Sequence, residues 1–372
     1  MNKKTGLGIL FVFLSFIFVA GCDTIVKKGG GDTTEFKRGS SGLVMEFVKN
    51  YPGNSYIVSG DTDEHDEKIL IMIDLKNKGT YPDGDRFSKG KIYISGFDDE
   101  IIVIDEKPKE LSEMFLPSAS PINPLGGFDT AEFGGNIKAV KITVDEYNPT
   151  IMATACYPYG TKASPTVCVD PSPFDDRQEK VCHIGSQTLP TQGAPIAVTK
   201  IDQEAATNKI QFRIHIKNVG VGDVIKTGDS NNKEEDGTTV PTLDRCSPLS
   251  GGKLNRKDFD RVQVKKIKIG SVDLWSATES DNKCSPFADG SNDIIKLFNG
   301  EGFVICTLTV SELGGGVQSA YTTPLNIELE YNYRSTISKP IKISKLTTIG
   351  DDDENEETVY PEEYTPDGAE WN

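Results

Sequence analysis

Two segments of the chain alternate apolar and polar positions with a period of two. Apolar residues stand at positions 69, 71, 73 and 75 in one segment and at 210, 212, 214 and 216 in the other, an offset of 141. Each segment runs into an Asn-x-Gly triplet, at 77–79 and at 218–220. A period of two predicts a strand with one buried face, and the glycine suits a turn. The two segments are therefore predicted to be equivalent strands.

Two further matches follow in the same order. Lys91–Ile94 aligns with Lys266–Ile269 at an offset of 175, and Tyr157-Pro158-Tyr159 aligns with Tyr331-Asn332-Tyr333 at an offset of 174. Three matches in one order favour an internal duplication. The offset grows by 34 between the first and second matches, which predicts an insertion in the second copy near 221–260. We expect that insertion to be a long surface excursion.

The fold class predicted by these patterns is all-β. Short strands separated by turn residues, with few amphipathic helical windows, favour two tandem immunoglobulin-like β-sandwiches. We expect the two sandwiches to meet near residues 173–190. The predicted parts are a signal peptide (1–21), a flexible tether (22–41), sandwich 1 (42–172), a linker (173–188), sandwich 2 (189–349) and an acidic disordered tail (350–372).

The N-terminus predicts export. Lys3 and Lys4 precede an apolar stretch of 14 residues, Leu7 to Ala20. As a helix this stretch rises only about 21 Å, short of the roughly 30 Å hydrocarbon core of a bilayer. That length favours a cleaved signal sequence over a permanent span.

The end of the apolar stretch, Val19-Ala20-Gly21-Cys22, resembles the lipobox of prokaryotic lipoproteins. The resemblance implies that the Cys22 thiol carries a diacylglycerol and that Cys22 is the first residue of the mature chain. It also implies an extracytoplasmic, membrane-bound location, with the membrane itself as one partner. An ordinary signal peptide with an accidental cysteine and a tilted anchor helix are the alternatives.

The tandem layout over roughly residues 42–345 is similar to cell-adhesion-related immunoglobulin-like modules, and to surface lipoproteins of archaea. The resemblance rests on the Asn-x-Gly at a strand end and on the shorter strand that follows it. The resemblance implies an extracellular binding or spacer module and supplies no site residues. Other surface or membrane proteins are the expected partners.

Charge narrows the choice of partner. The formal net charge is −16, and residues 351–372 contain ten acidic residues and no basic one. No basic footprint for nucleic acid is present, so no nucleic-acid partner is expected. The function expected is non-catalytic: adhesion, envelope structure or partner binding. The alternatives are an accessory subunit that recruits partners to a membrane complex, and an extracellular carbohydrate binder or hydrolase.

Six cysteines remain besides Cys22, and an even number in an exported chain predicts disulfides. Zinc is the alternative, although no C-x2-C pair exists. Three of the six precede the second repeat and three lie within it, so either one bridge crosses between the groups or two thiols stay free. We expect a Cys284–Cys306 pair and a crossing Cys182–Cys246 pair. Cys156 and Cys168 should face outward from their sheet; they could pair with each other, or one of them could pair with Cys182. The six are Cys156, Cys168, Cys182, Cys246, Cys284 and Cys306.

The remaining candidate chemistry is weak. Acidic loops offer carboxylates of the kind that bind calcium, although none has EF-hand spacing. Of the three histidines, His215 is expected on the solvated face of its strand, and no nucleophile–base arrangement is apparent. The sequence therefore predicts no catalytic residue, and no cofactor apart from a possible calcium ion. The calcium candidates are Asp61, Asp63, Asp229, Asp236, Asp289 and Asp293.

Overall fold

The described residues form strands, joined by loops and short 3-10 helices, and include no α-helix, so the predicted all-β class is confirmed. The structure is a computed structural model. It describes residues 38–346, apart from 60–65, 85, 107, 176–178, 207, 234–238, 249–253 and 314–318; at 229–233, 239–241 and 279 only the backbone is described. The predicted signal peptide with Cys22, nearly all of the tether and the acidic tail lie outside the described residues.

The strands are numbered in chain order. They are β1 Leu43–Phe47, β2 Ser55–Ser59, β3 Glu67–Asn77, β4 Lys91–Ser95, β5 Ile102–Ile104, β6 Lys109–Glu110, β7 Phe128–Ile137, β8 Glu146–Tyr147, β9 Thr150–Ala163, β10 Thr166–Val169, β11 Gln187–Thr188, β12 Ile196–Ala206, β13 Lys209–Asn218, β14 Asp223–Ile225, β15 Asp229–Lys233, β16 Thr239–Pro241, β17 Arg261–Ile269, β18 Val272–Asp273, β19 Cys284–Ser285, β20 Ile294–Lys296, β21 Glu301–Thr309, β22 Tyr321–Pro340 and β23 Lys342–Leu346. Short 3-10 helices lie at Leu111–Glu113, Ala139–Lys141, Asp244–Cys246, Glu279–Asp281 and Val310–Leu313.

One nine-stranded sheet contains strands from both repeats. Its main path is β18-β17-β22-β9-β4-β6, with β10 and β14 also paired to β22 and β20 paired to β17. A four-stranded sheet (β1-β3-β7-β5) and a five-stranded sheet (β11-β12-β13-β21-β19) belong to the first and second repeats respectively. Side chains of all three sheets share one hydrophobic core. Two small sheets complete the fold, β15-β16 and β2-β23-β8.

The matching segments of the sequence take matching places in these sheets. Strands β3 and β13 each pair with two neighbours in the smaller sheets, and β4 and β17 flank the central strands β9 and β22. β9 and β22 pair with each other, with Tyr159 opposite Tyr331 and Tyr157 opposite Tyr333. The offset of 174 matches Tyr157 with Tyr331 and Tyr159 with Tyr333, so exchanging the two repeats exchanges the two tyrosine pairs. A local two-fold axis therefore passes between them, through the pair Pro158–Asn332.

Two expectations from the sequence are corrected here. The repeats do not meet near 173–190; they meet along the fourteen residue pairs between β9 and β22. Strands are also exchanged across the boundaries 42–172 and 189–349, because β10 pairs with β22 and β23 pairs with β2 and β8. Period-two alternation defines the face of a strand but not its partner, so the sequence could not reveal this pairing.

Four buried tyrosines fill the space between the central sheet and the two smaller sheets. Tyr157, Tyr159, Tyr331 and Tyr333 lie on one face of β9 and β22, with neighbouring ring centroids 5.9–6.4 Å apart. The Tyr157 hydroxyl donates to the Leu43 carbonyl of β1. Burial raises the pKa of each of the four phenols, that of Tyr333 to about 12. The tyrosines therefore stay neutral and serve as large core residues whose hydroxyls find partners.

The Asn-x-Gly triplet is an Asx turn that docks on a tyrosine. In the second repeat the Asn218 Oδ1 accepts from the Gly220 amide (3.2 Å), and its Nδ2 donates to the Gly222 carbonyl (2.9 Å). The Gly222 amide then donates to the Tyr333 hydroxyl (2.6 Å). In the first repeat Asn77 makes the equivalent bonds to Gly79 and to the Tyr81 carbonyl. The Asn-x-Gly and Tyr-x-Tyr motifs of a repeat thus contact each other and form one structural unit, an Asx turn packed on a tyrosine.

A Cβ at Gly220 is predicted to disrupt the packing of the Asx turn on the tyrosine. It would collide with the Tyr333 hydroxyl and lie 2.8 Å from the Pro195 Cβ. Gly220→Ala should therefore lower the free energy of unfolding by about 1–3 kcal/mol, as overpacking typically does. Gly185→Ala is the matched control, since a Cβ there meets nothing within 4 Å.

Urea unfolding of both variants measures the difference. Tyr333→Phe removes the nearest clashing atom, so the double variant should lose less than the sum of the single variants. Equal stability of the two alanine variants would contradict the tight approach.

Candidate partner-binding cleft

The insertion of the second repeat folds over the outer face of the central sheet, the face opposite the tyrosines. Its first strand, β14, pairs with β22. Further along, Cys246 forms a disulfide with Cys156 of β9. These two cysteines, Tyr93 and Ile225 form a second buried cluster, separate from the main core. The expected surface excursion is therefore a cover, packed on the first repeat and covalently linked to it.

Buried charges hold this cover in shape. Arg245 Nη2 lies 2.9 Å from Asp258 Oδ2, and both side chains are only 6 % exposed. The same carboxylate accepts the Asn255 amide at 2.8 Å. Asn332 lies on the local two-fold axis, and its side-chain Nδ2 donates to the Lys226 carbonyl at 2.9 Å. Removing one partner of a buried pair leaves an uncompensated charge, so this ion pair ties Arg245 and Asp258 of the cover to each other.

A cleft of about 490 Å³ lies between the cover and the edge of the first repeat. Its floor is the two-fold position, Pro158 and Asn332, together with Glu330. The walls come from both repeats and are mostly polar. They are Ser88, Lys89, Gly90, Lys91, Glu110 and Ser112 of the first repeat and Thr227, Gly228, Leu243 and Asp244 of the second.

Lys91 is the charged centre of the cleft. Its Nζ lies 3.3 Å from Asp244 Oδ1 and 3.5 Å from Glu110 Oε1, so it joins the cover to the first repeat. Burial alone would lower the pKa of Lys91, but the hydrogen bond to Asp244 and the charges of Asp244 and Glu110 outweigh it and raise that pKa. Lys91 therefore stays charged. The cleft offers fixed donors and acceptors of both signs, which suits a polar ligand or a polar segment of a partner.

All six cysteines among the described residues form disulfides. Cys284–Cys306 was predicted correctly, and the parity argument for a crossing bridge is confirmed. The cysteine expected to make the crossing bridge was wrong, because Cys156 and not Cys182 bonds Cys246. Cys182 bonds Cys168, which was one of the alternative pairings. Cys156 does face away from the core, but the insertion buries it, and nothing in the alternation pattern shows that a cover lies there.

The calcium candidates that the structure describes have other partners. The Asp289 carboxylate accepts two hydrogen bonds from Arg261 (2.6 and 3.1 Å), which lower the pKa of that carboxyl. Asp293 accepts from Gln263 at 2.7 Å. Asp61, Asp63 and Asp236 lie outside the described residues, and only the backbone of Asp229 is described. Among the described residues no group of three or more His, Cys, Asp or Glu side chains is placed to hold a metal ion.

The histidines are not brought together. His215 Nε2 lies 2.7 Å from Asp202 Oδ2 on the outer face of the five-stranded sheet, and its side chain is about one-third exposed. His183 is exposed, and His65 lies outside the described residues. Sequence reasoning missed Lys91 and Asn332 as cleft residues, because they converge only through the β9–β22 pairing.

No protein-family model matches the sequence, and a search of curated proteins found no match. Within the described part of the chain, no helix has both the length and the apolar character needed to span a bilayer.

The disulfide pattern gives a direct test of the cover. Non-reducing peptide mapping should find Cys156 joined to Cys246 and Cys168 joined to Cys182. The first bridge spans 90 residues and the second 14. Chain-entropy reasoning then predicts that Cys156→Ser with Cys246→Ser destabilises more than Cys168→Ser with Cys182→Ser, by about 1–2 kcal/mol. A peptide in which Cys182 is joined to Cys246 would contradict the packing of the cover on Cys156 of β9.

Proposed function

We propose that this protein is a non-catalytic, lipid-anchored protein of the extracytoplasmic membrane face, and that it binds a partner in adhesion or envelope structure. Its body is two immunoglobulin-like β-sandwich repeats fused through a shared sheet. The anchor is Cys22, and the partner-binding site is the cleft around Lys91.

The observation that carries the proposal is the pairing of six cysteines in three disulfides. Disulfides persist in oxidising compartments and are rare where thiols are kept reduced. That pairing supports export independently of the N-terminal sequence. It also leaves Cys22 as the one cysteine of the seven outside these pairs, at the position where the lipobox resemblance places the lipid.

The cleft supports a binding role. Both repeats contribute to it, and a disulfide and a buried ion pair fix the cover that forms one of its walls. Because little ordering is needed on binding, such a cleft loses less entropy when a partner enters. Two acyl chains at Cys22 would hold this site stably at the membrane.

Lipidation of Cys22 is the testable centre of the proposal. Mass spectrometry of the native chain from the membrane fraction should find Cys22 as the first residue, carrying diacylglycerol. Cys22→Ser should shift the protein out of the washed membrane fraction. A mature chain that begins elsewhere, or that lacks lipid, would contradict the proposal.

The accessory-subunit alternative uses the same anchor and differs in what accompanies the protein. From gently solubilised membranes, an accessory subunit should come out with a second chain in fixed ratio, whereas a free-standing adhesin should come out alone. Glu330→Lys changes the cleft floor and should release such a chain. Glu301→Lys is the matched control, because Glu301 also forms an exposed ion pair on a strand but lies outside the cleft.

A further inference from the structure

A segment of fourteen residues, 115–128, is made of the loop before β7 and the first residue of that strand; it contains no charged side chain and exposes four large apolar ones. We call it the apolar loop. Ile122 is 97 % and Leu125 is 84 % exposed, and the two phenylalanines at its ends are each more than half exposed. In a chain with a net charge of −16, exposed apolar residues grouped this way mark an interaction surface rather than ordinary surface.

The apolar loop holds a fixed shape. Asn123 organises its tip: its backbone amide donates to the Ser120 Oγ at 3.0 Å, and its side-chain amide donates to the Gly126 carbonyl at 2.9 Å. The base is tied to the Asx turn of the first repeat, because the Ala119 amide donates to the Gly79 carbonyl at 2.8 Å. Ile122 and Leu125 are therefore presented to the surroundings by an ordered support.

The apolar loop lies where the N-terminal segment joins the body. Arg38, the first described residue, lines a groove together with Ser118–Pro121 of the loop. A chain of backbone hydrogen bonds fixes this arrangement: the Gly193 amide donates to Gly39, and the Thr80 amide donates to Gly193. Fifteen residues lie between Cys22 and Arg38, and the sixteen Cα–Cα steps that join the two span at most about 58 Å. An anchor at Cys22 would thus hold this end of the body within that distance of the bilayer.

We propose that the apolar loop contacts the lipid surface of the membrane that anchors Cys22, with Ile122 and Leu125 in the interface between headgroups and acyl chains. This inference rests on the proposed function, since it needs the lipid anchor. The contact would orient the body, so that the protein does not tumble freely at the end of its tether.

The absence of charge at the tip and the position of the tether favour lipid over a protein partner at this surface. The apolar loop itself contains no charged side chain. At its Phe128 end, the Lys76 Nζ lies 5.7 Å from the centre of the Phe128 ring and 3.9 Å from Glu46 Oε2, so this lysine is already paired. An uncharged apolar tip can enter the interface between headgroups and acyl chains without burying a charge. A contact through two aliphatic side chains is weak on its own, but a tether supplies the high local concentration that makes it effective.

The test uses the native, lipidated chain in phosphatidylcholine vesicles, with and without brominated acyl chains. Leu125→Trp places a fluorophore at the loop tip, and the emission of the chain without this substitution is subtracted to remove Trp275 and Trp371. Ile57→Trp is the matched control: Ile57 is an exposed aliphatic residue on β2. β2 pairs with β23, which lies just beyond the Thr150 end of β9. The groove with Arg38 contains Ala163, at the other end of β9. The two ends of this strand are about 43 Å apart, so Ile57 is far from the apolar loop.

We expect the added fluorescence at position 125 to shift to the blue and to be quenched by brominated lipid, while that at position 57 does neither. Adding Ile122→Asp should reduce the quenching at 125. If lipid is present at Cys22 but both positions behave alike, this inference fails and the proposed function stands. If the shift at 125 follows protein concentration instead of lipid, the loop contacts a second copy and the inference fails. Absence of lipid at Cys22 overturns both.

Discussion

The antiparallel pairing of β9 with β22 is the constraint on which the rest of the structure depends. Fourteen residue pairs join the two repeats into one sheet, and the pair Pro158–Asn332 lies at their two-fold centre. The inner face of β9 and β22 contributes the four tyrosines to the core, and the outer face of the same two strands forms the floor of the cleft. An isolated repeat would expose a long, hydrophobic strand edge, a feature that folded proteins avoid. The repeats therefore stabilise each other.

Local features were readable from the sequence because their causes are local. Alternation over 69–75 and 210–216 predicts two strands with one buried face, and both exist as β3 and β13. The repeated Asn-x-Gly and Tyr-x-Tyr motifs predict a duplication whose copies occupy equivalent places. Cysteine parity predicts a crossing bridge, and one exists. Each of these inferences depends on spacing along the chain alone.

Features that depend on distant pairing were not readable. No pattern within β9 or β22 says that the two strands are neighbours, since alternation specifies a face and not a partner. For the same reason the sequence could not show that the insertion covers Cys156, nor that Lys91 meets Asp244 across 153 residues. The candidate site is thus a product of tertiary structure, whereas Cys22 is a candidate from local sequence only. The proposed function joins the two: an anchor predicted from its motif and a cleft described by its geometry.

Hydrogen exchange with mass spectrometry, on the full chain in increasing denaturant with its disulfides intact, tests the shared sheet most directly. If the β9–β22 pairing unites the repeats, amides of β9 and β22 open with the same free energy and the same dependence on denaturant, and the flanking strands β4 and β17 follow them. The account is contradicted if the amides of residues 42–172 lose protection in one transition while those of 189–346 stay protected until a second.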